Sequence, residues 1–105
     1  MRTVMVRYRV KVDQVQENEQ LVRAVYDELA EAQPEGFRYA TFKLEDGVSF
    51  MHLASQADGI ENPLPELAAF ARFQQDIAAR CDEQPVVTPL AVVGSYGMLQ
   101  AELTA

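Results

Sequence analysis

Residues 3–12 alternate between apolar and charged side chains: Val4, Val6, Tyr8, Val10 and Val12 against Arg7, Arg9 and Lys11. A period of two in a segment rich in β-branched residues predicts a half-buried strand. Asp13 offers a cap, and the period then lengthens. Leu21, Val22, Val25, Leu29 and Ala32 recur at helical spacing over residues 15–33, with Glu17, Glu19, Asp27, Glu28 and Glu31 on much of the remainder. This is an amphipathic helix with a solvated acidic face, ended by Pro34-Glu35-Gly36.

Phe37–Glu45 and Val48–Ala54 flank Asp46-Gly47, a strong hairpin signal. Residues 55–63 read as a polar loop. A second helix is expected from Leu64 to about Cys81, with Leu67, Phe70, Phe73 or Gln74, and Ile77 on its apolar stripe. Gln84-Pro85 breaks the chain, and Val86–Tyr96 is β-rich, with Pro89 marking an edge or a bulge. The order β-α-β-β-α-β predicts an α+β, ferredoxin-like plait: one four-stranded antiparallel sheet with both helices on one face and the first and third strands central.

A two-residue turn at Asp46-Gly47 fixes the hairpin pairing. Phe42 faces Met51, Ala40 faces Leu53 and Leu44 faces Ser49, an apolar surface expected to seat the helices. Thr41 opposite His52, Lys43 opposite Phe50 and Tyr39 opposite Ala54 are then expected on the open face. Arg7, Arg9 and Lys11 join them there, with Arg7 or Arg9 beside His52. An open face that holds Phe37, Tyr39, Val48 and Phe50 is too apolar to stay in water. A second copy of the sheet is its simplest cover, giving a two-fold dimer.

Composition narrows the field. The 105 residues make one domain, 1–105, with 49% hydrophobic residues and a net charge of −7. That charge opposes a nucleic-acid partner, although four of the nine Lys and Arg fall in the first eleven positions, so the sheet is locally basic. No apolar run spans a bilayer and no signal-peptide pattern is present, so no membrane partner and a cytoplasmic location are expected. One Cys and one His exclude a disulfide framework and leave too few ligands for a zinc site. No metal is expected.

Pro34-Glu35-Gly36-Phe37-Arg38-Tyr39, the hairpin, and Leu64 to Phe73 with its two phenylalanines resemble the dimeric α+β barrel superfamily, whose best-known branch is the antibiotic-biosynthesis monooxygenase-like domains. The resemblance covers roughly residues 3–97 and implies a homodimer. Its members include cofactor-independent monooxygenases of aromatic polyketides, haem-degrading enzymes, isomerases and proteins without known activity. The haem branch uses a Trp, a ligating His on a helical segment and an Asn. This chain has no Trp and carries its one His on a strand, so no cofactor is expected.

The resemblance therefore implies oxidation of a small aromatic or quinol in a pocket between sheet and helices. His52 would be the general base, and Arg9 or Arg7 would hold the substrate anion. Tyr39, Thr41, Phe50 and Tyr96 would complete the binding surface. Each has a plainer reading. His52 opposite Thr41 can be a hydrogen-bonded structural residue, the arginines can pair with carboxylates such as Glu45, and the tyrosines can be packing groups. On those readings the chain is a non-catalytic homodimeric module that binds a small aromatic or anionic ligand or a protein partner. Two other users of the plait fit poorly. Gly36–Phe42 resembles the aromatic motif of RNA-recognition domains, but it has Glu35 and Arg38 at discordant positions and lies on the second strand. The segment after the first strand, Asp13-Gln14-Val15-Gln16-Glu17, lacks the glycines of a phosphate cradle.

Overall fold

The computed structural model describes residues 1–98. Strand β1 (Arg2–Val10) leads through a 3-10 turn, Val12–Gln14, into α1 (Val15–Ala32). The hairpin β2 (Phe37–Lys43) and β3 (Ser49–Gln56) follows, then a 3-10 turn at Leu64–Glu66, α2 (Ala68–Gln75), α3 (Ile77–Arg80) and β4 (Cys81–Leu90). The antiparallel sheet runs β2-β3-β1-β4 with β1 and β3 central, which is the expected plait.

Both helical segments pack on one face of the sheet. Tyr8 and Val10 of β1 and Phe50 of β3 are buried against Val22 and Val25 of α1, and against Ala69 and Phe73 of α2. Helix α1 carries its apolar residues on the face that meets the sheet, and Gln33 closes it in a left-handed conformation (φ 45°) with its N–H on the Leu29 carbonyl. Asp13 does not cap it: the 3-10 turn feeds the chain directly into α1, and no side chain bonds its first N–H groups.

The expected single helix from Leu64 to Cys81 is three pieces. Leu67 is extended (φ −94°, ψ 130°) and separates the 3-10 turn from α2, and Asp76 (φ −121°) separates α2 from α3. The last strand also starts earlier than expected, because Cys81 already pairs with Val10. Gln84-Pro85 lies inside β4, where the register shifts between Arg7 and Arg9. An edge strand with a bulge accommodates a residue that lacks an N–H.

The hairpin register is the expected one: Phe42 pairs with Met51, Thr41 with His52, Lys43 with Phe50, and Tyr39 with Ala54. Its connection is wider than a two-residue turn. The Gly47 N–H bonds the Leu44 carbonyl with Gly47 at φ +79°, and the Asp46 carboxylate accepts from the Val48 and Ser49 N–H groups and the Ser49 hydroxyl.

The faces of the hairpin are the reverse of those expected. β3 docks on β1 with Phe50 beside Tyr8 and His52 beside Val6, so Tyr39, Thr41, Phe50 and His52 lie under the helices. Phe42, Met51, Arg7 and Val86 form a row on the open face, and Ala40, Leu53, Met5 and Thr88 form the next. Both surfaces of the hairpin carry large apolar residues, so alternation within it does not choose between them. The pairing with β1 does.

Candidate functional site

Between the sheet and α2 lies a cleft of about 580 Å³, lined by Val4, Val6, Tyr8, Tyr39 and His52 from the strands and by Leu64, Phe70, Phe73 and Ile77 from the other side. Arg2, Asn62 and Gln74 line it too and are exposed, which puts polar groups at its mouth. An apolar interior with a few convergent polar groups is the usual form of a small-molecule site.

His52 is the polar centre of this cleft. It stands in mid-β3, only 4% exposed, with Tyr8 on one side and Tyr39 on the other at ring separations of 5.3 and 5.7 Å. Phe73 of α2 closes over it at 5.6 Å. Burial disfavours the charged imidazolium and lowers the His52 pKa to about 4. The ring is therefore neutral at physiological pH, one nitrogen donating and the other accepting.

Both nitrogens have partners. Nε2 lies 2.8 Å from the Tyr8 hydroxyl, while Nδ1 lies 2.8 Å from the Tyr39 hydroxyl and 3.0 Å from Thr41 Oγ1. The Thr41 hydroxyl meets that of Tyr26 at 2.8 Å, which ties the site to α1. On the other flank Asn18 Nδ2 donates to the Tyr8 oxygen (3.0 Å), and Arg80 Nε donates to Asn18 Oδ1 (3.2 Å). Arg80 is 4% exposed and held by the Phe73 carbonyl (2.7 Å) and ring (5.3 Å). A continuous hydrogen-bonded chain thus runs Arg80–Asn18–Tyr8–His52–Tyr39/Thr41–Tyr26. Burial raises the pKa values of Tyr8, Tyr39 and Tyr26, so these phenols stay protonated.

Of the residues singled out from sequence, His52, Tyr39 and Thr41 come together here. Phe50 stacks on Tyr8 at 5.6 Å, supporting the site from the core. The arginines do not join them. Arg7 pairs with Met51 on the open face, and Arg9, on that same face, bonds Glu83 at 3.3 Å. Their placement beside His52 is corrected by the β1–β3 pairing, in which Val6 is the neighbour of His52. Tyr96 lies beyond β4 and is 97% exposed, away from the cleft. Tyr8, Asn18, Tyr26 and Arg80 were missed. Asn18 did leave a signal in its helical spacing before Val22 and Val25 on the apolar stripe of α1, and the structure buries it fully.

The site offers nothing open to a metal. Both His52 nitrogens are engaged, and no group of three His, Cys, Asp or Glu side chains is placed to hold an ion among the described residues. Nor is any described helix long and apolar enough to cross a membrane.

No family model and no curated protein matches the sequence. Solved structures do. An antibiotic biosynthesis monooxygenase superposes with a TM-score of 0.70 at 17% identity, covering 90% of this chain and 100% of the other. The Rv0793 protein of Mycobacterium tuberculosis follows at 0.72, with 16% identity and coverage of 91% and 98%. SnoaB of Streptomyces nogalater, a cofactor-independent oxygenase solved as a variant, gives 0.64 at 15% identity, covering 91% and 96%. The chain has the antibiotic biosynthesis monooxygenase fold. In this chain the cleft under α2 is bounded on the sheet side by the Tyr8–His52–Tyr39 cluster, and no described helix covers the opposite sheet face.

Proposed function

We propose that the chain is a cofactor-independent monooxygenase of small aromatic hydroxyl compounds, quinols among them, acting in the cleft beneath α2. The observation that carries this reading is a neutral imidazole, hydrogen-bonded between two phenols that both face an apolar cleft of about 580 Å³. SnoaB, which shares the fold, is a cofactor-independent oxygenase.

The residues suggest how the reaction would run. An aromatic ring enters among Phe70, Phe73 and Ile77 with its hydroxyl toward Tyr8 and His52. Its proton passes to the Tyr8 oxygen as the Tyr8 proton passes to His52 Nε2, leaving a substrate anion beside an imidazolium. That anion offsets the desolvation that otherwise keeps His52 neutral. The electron-rich carbanion then reduces dioxygen. One oxygen atom becomes the new carbonyl oxygen on the reacting ring carbon, and the other leaves as water with that carbon's hydrogen and the hydroxyl proton held by His52, so HO–Ar–H plus O2 gives the quinone O=Ar=O plus H2O without a further reductant. Tyr39 and Thr41 steady the Nδ1 side of the ring, and the polar mouth at Arg2, Asn62 and Gln74 receives the hydrophilic end of the substrate.

The working unit in this proposal is a homodimer. The open sheet face carries Phe42, 42% exposed, and Val86, 61% exposed, beside Met51 and Leu53. A second copy of the sheet would remove this apolar surface from water.

Oxygen uptake with a panel of quinols and anthrone-like phenols tests the reading. Wild type should consume one O2 per substrate, and His52→Gln should lose on the order of a hundredfold or more in rate. No uptake with any member, or undiminished uptake by the variant, overturns it. Saturable binding without uptake would make the chain a ligand-binding module instead.

A further inference from the structure

We propose that Arg80 is a positioning residue: through Asn18 and Tyr8 it dictates that His52 carries its proton on Nδ1 and leaves Nε2 bare. The inference gives a direction to the proton path and rests on the reading of His52 as the base. Its physical basis, however, is independent of any substrate.

Direction is set at the charged end. A guanidinium has donors and no acceptor, so the Asn18 atom 3.2 Å from Arg80 Nε is the amide oxygen. Asn18 is fully buried and cannot turn to water. Flipping its amide would set NH2 against the guanidinium, donor to donor. Its Nδ2 therefore points the other way and donates to the Tyr8 oxygen at 3.0 Å.

Tyr8 is 2% exposed and has one further polar partner among the described residues, His52 Nε2 at 2.8 Å. With one lone pair engaged by Asn18, the phenol hydrogen has one direction left, toward Nε2. If Nε2 bore a hydrogen instead, the Tyr8 oxygen would accept twice and its own hydrogen would find no partner among the described residues, only the apolar cleft. So Nε2 accepts and Nδ1 holds the proton. The far side agrees: Nδ1 meets two hydroxyl oxygens, Tyr39 at 2.8 Å and Thr41 at 3.0 Å, and both can accept.

Arg80 suits this task because nothing nearby neutralises it. Among the described residues no carboxylate lies within ion-pair distance. Its contacts are the Phe73 carbonyl, the Phe73 ring and Asn18. The bare Nε2 and the donating Tyr8 hydroxyl stand at the cleft, the orientation in which Tyr8 can hand a proton inward while taking one from a ligand.

His52 is the one histidine of the chain, so heteronuclear NMR of the imidazole nitrogens reads its tautomer without assignment, at neutral pH and with no substrate. Wild type should show a protonated Nδ1 and a bare Nε2. Asn18→Asp is isosteric but has no donor. Tyr8 would then donate to the new carboxylate and accept from His52, so the proton should move to Nε2. Arg80→Lys keeps a donor-only cation and should retain the wild-type pattern, whereas Arg80→Met should give a mixture of tautomers. A wild-type proton on Nε2, or an Asn18→Asp spectrum unchanged from wild type, overturns the proposal. Should Asn18→Asp fail to give a dispersed amide spectrum, Tyr8→Phe replaces it. Loss of the Nδ1 preference is expected there, and an unaltered preference overturns the proposal. Because no turnover is measured, failure here is separate from failure of the oxygenase reading.

Discussion

Tyr8 and His52 meet diagonally across β1 and β3. The strand neighbour of Tyr8 is Phe50 and that of His52 is Val6, yet the Tyr8 oxygen and His52 Nε2 stand 2.8 Å apart with their rings stacked at 5.3 Å. Diagonal pairs on one sheet face are within reach of aromatic side chains. The contact joins the apolar core to the cleft, which is why burial and site chemistry are coupled in this protein.

That coupling gives stability a pH dependence. Burial holds the folded-state pKa of His52 at about 4, against about 6.5 for an unperturbed histidine. Between these values the unfolded chain binds a proton that the folded chain does not, so stability falls as pH drops through this window. The full contribution is present above about pH 6.5, and roughly 3 kcal/mol is lost by about pH 4. Urea titrations of wild type and His52→Gln from pH 7 to 4 should show the slope in the first and its loss in the second. Parallel curves would contradict the assignment.

Tyr8→Phe removes one oxygen and keeps the ring. Asn18 Nδ2 and His52 Nε2 each lose a buried partner, and a loss of about 1–3 kcal/mol is expected. Tyr26→Phe, at a half-buried hydroxyl bonded to Thr41, should cost about 1 kcal/mol or less. Denaturant midpoints compare the two, and equal losses would mean that the chain through Tyr8 is no more buried in effect than the one through Tyr26.

Gly36 is required by its backbone and by its neighbours. It sits at φ +73°, and an added Cβ would lie 2.9 Å from Ile60 Cγ1 and 3.2 Å from Ala57 Cβ. Gly36→Ala should destabilise by about 1–3 kcal/mol. Adding Ile60→Ala should recover only the steric part, since the left-handed backbone remains. Thermal unfolding of single and double variants measures both contributions.

Phe42 lies on the edge strand β2, exposed on the proposed dimer face. Light scattering at micromolar concentration should give twice 11.8 kDa for wild type, and Phe42→Asp should shift it toward the single-chain mass. A wild-type mass of one chain would remove the dimer from the proposed function.

The order of elements was legible from local pattern: period two over Val4–Val10, the helical stripe of Leu21–Leu29, and Asp46-Gly47 with its register. The helix ends were less so. Leu67 and Asp76 leave helical geometry and β4 begins at Cys81, breaks that the helical period of the segment does not record. His52, Tyr39 and Thr41 were also legible as a cluster, since they are neighbours in one hairpin. Arg7 and Arg9 were misplaced because their relation to His52 depends on which face of β3 meets β1.

The sequence alone determined the order of elements and the hairpin partners, because each depends on side chains within a few residues of one another, and the strand order is the one that this plait implies. Which hairpin face is buried was a tertiary decision. Phe42-Met51 and Tyr39-His52 are both plausible cores by hydrophobicity, and the second is the one buried, where Tyr8 and Thr41 satisfy the polar atoms of His52. The site itself followed from that. Arg80 and Asn18 lie 62 positions apart, and only the return of α3 to α1 brings a charge and an amide onto the buried end of a chain that reaches His52.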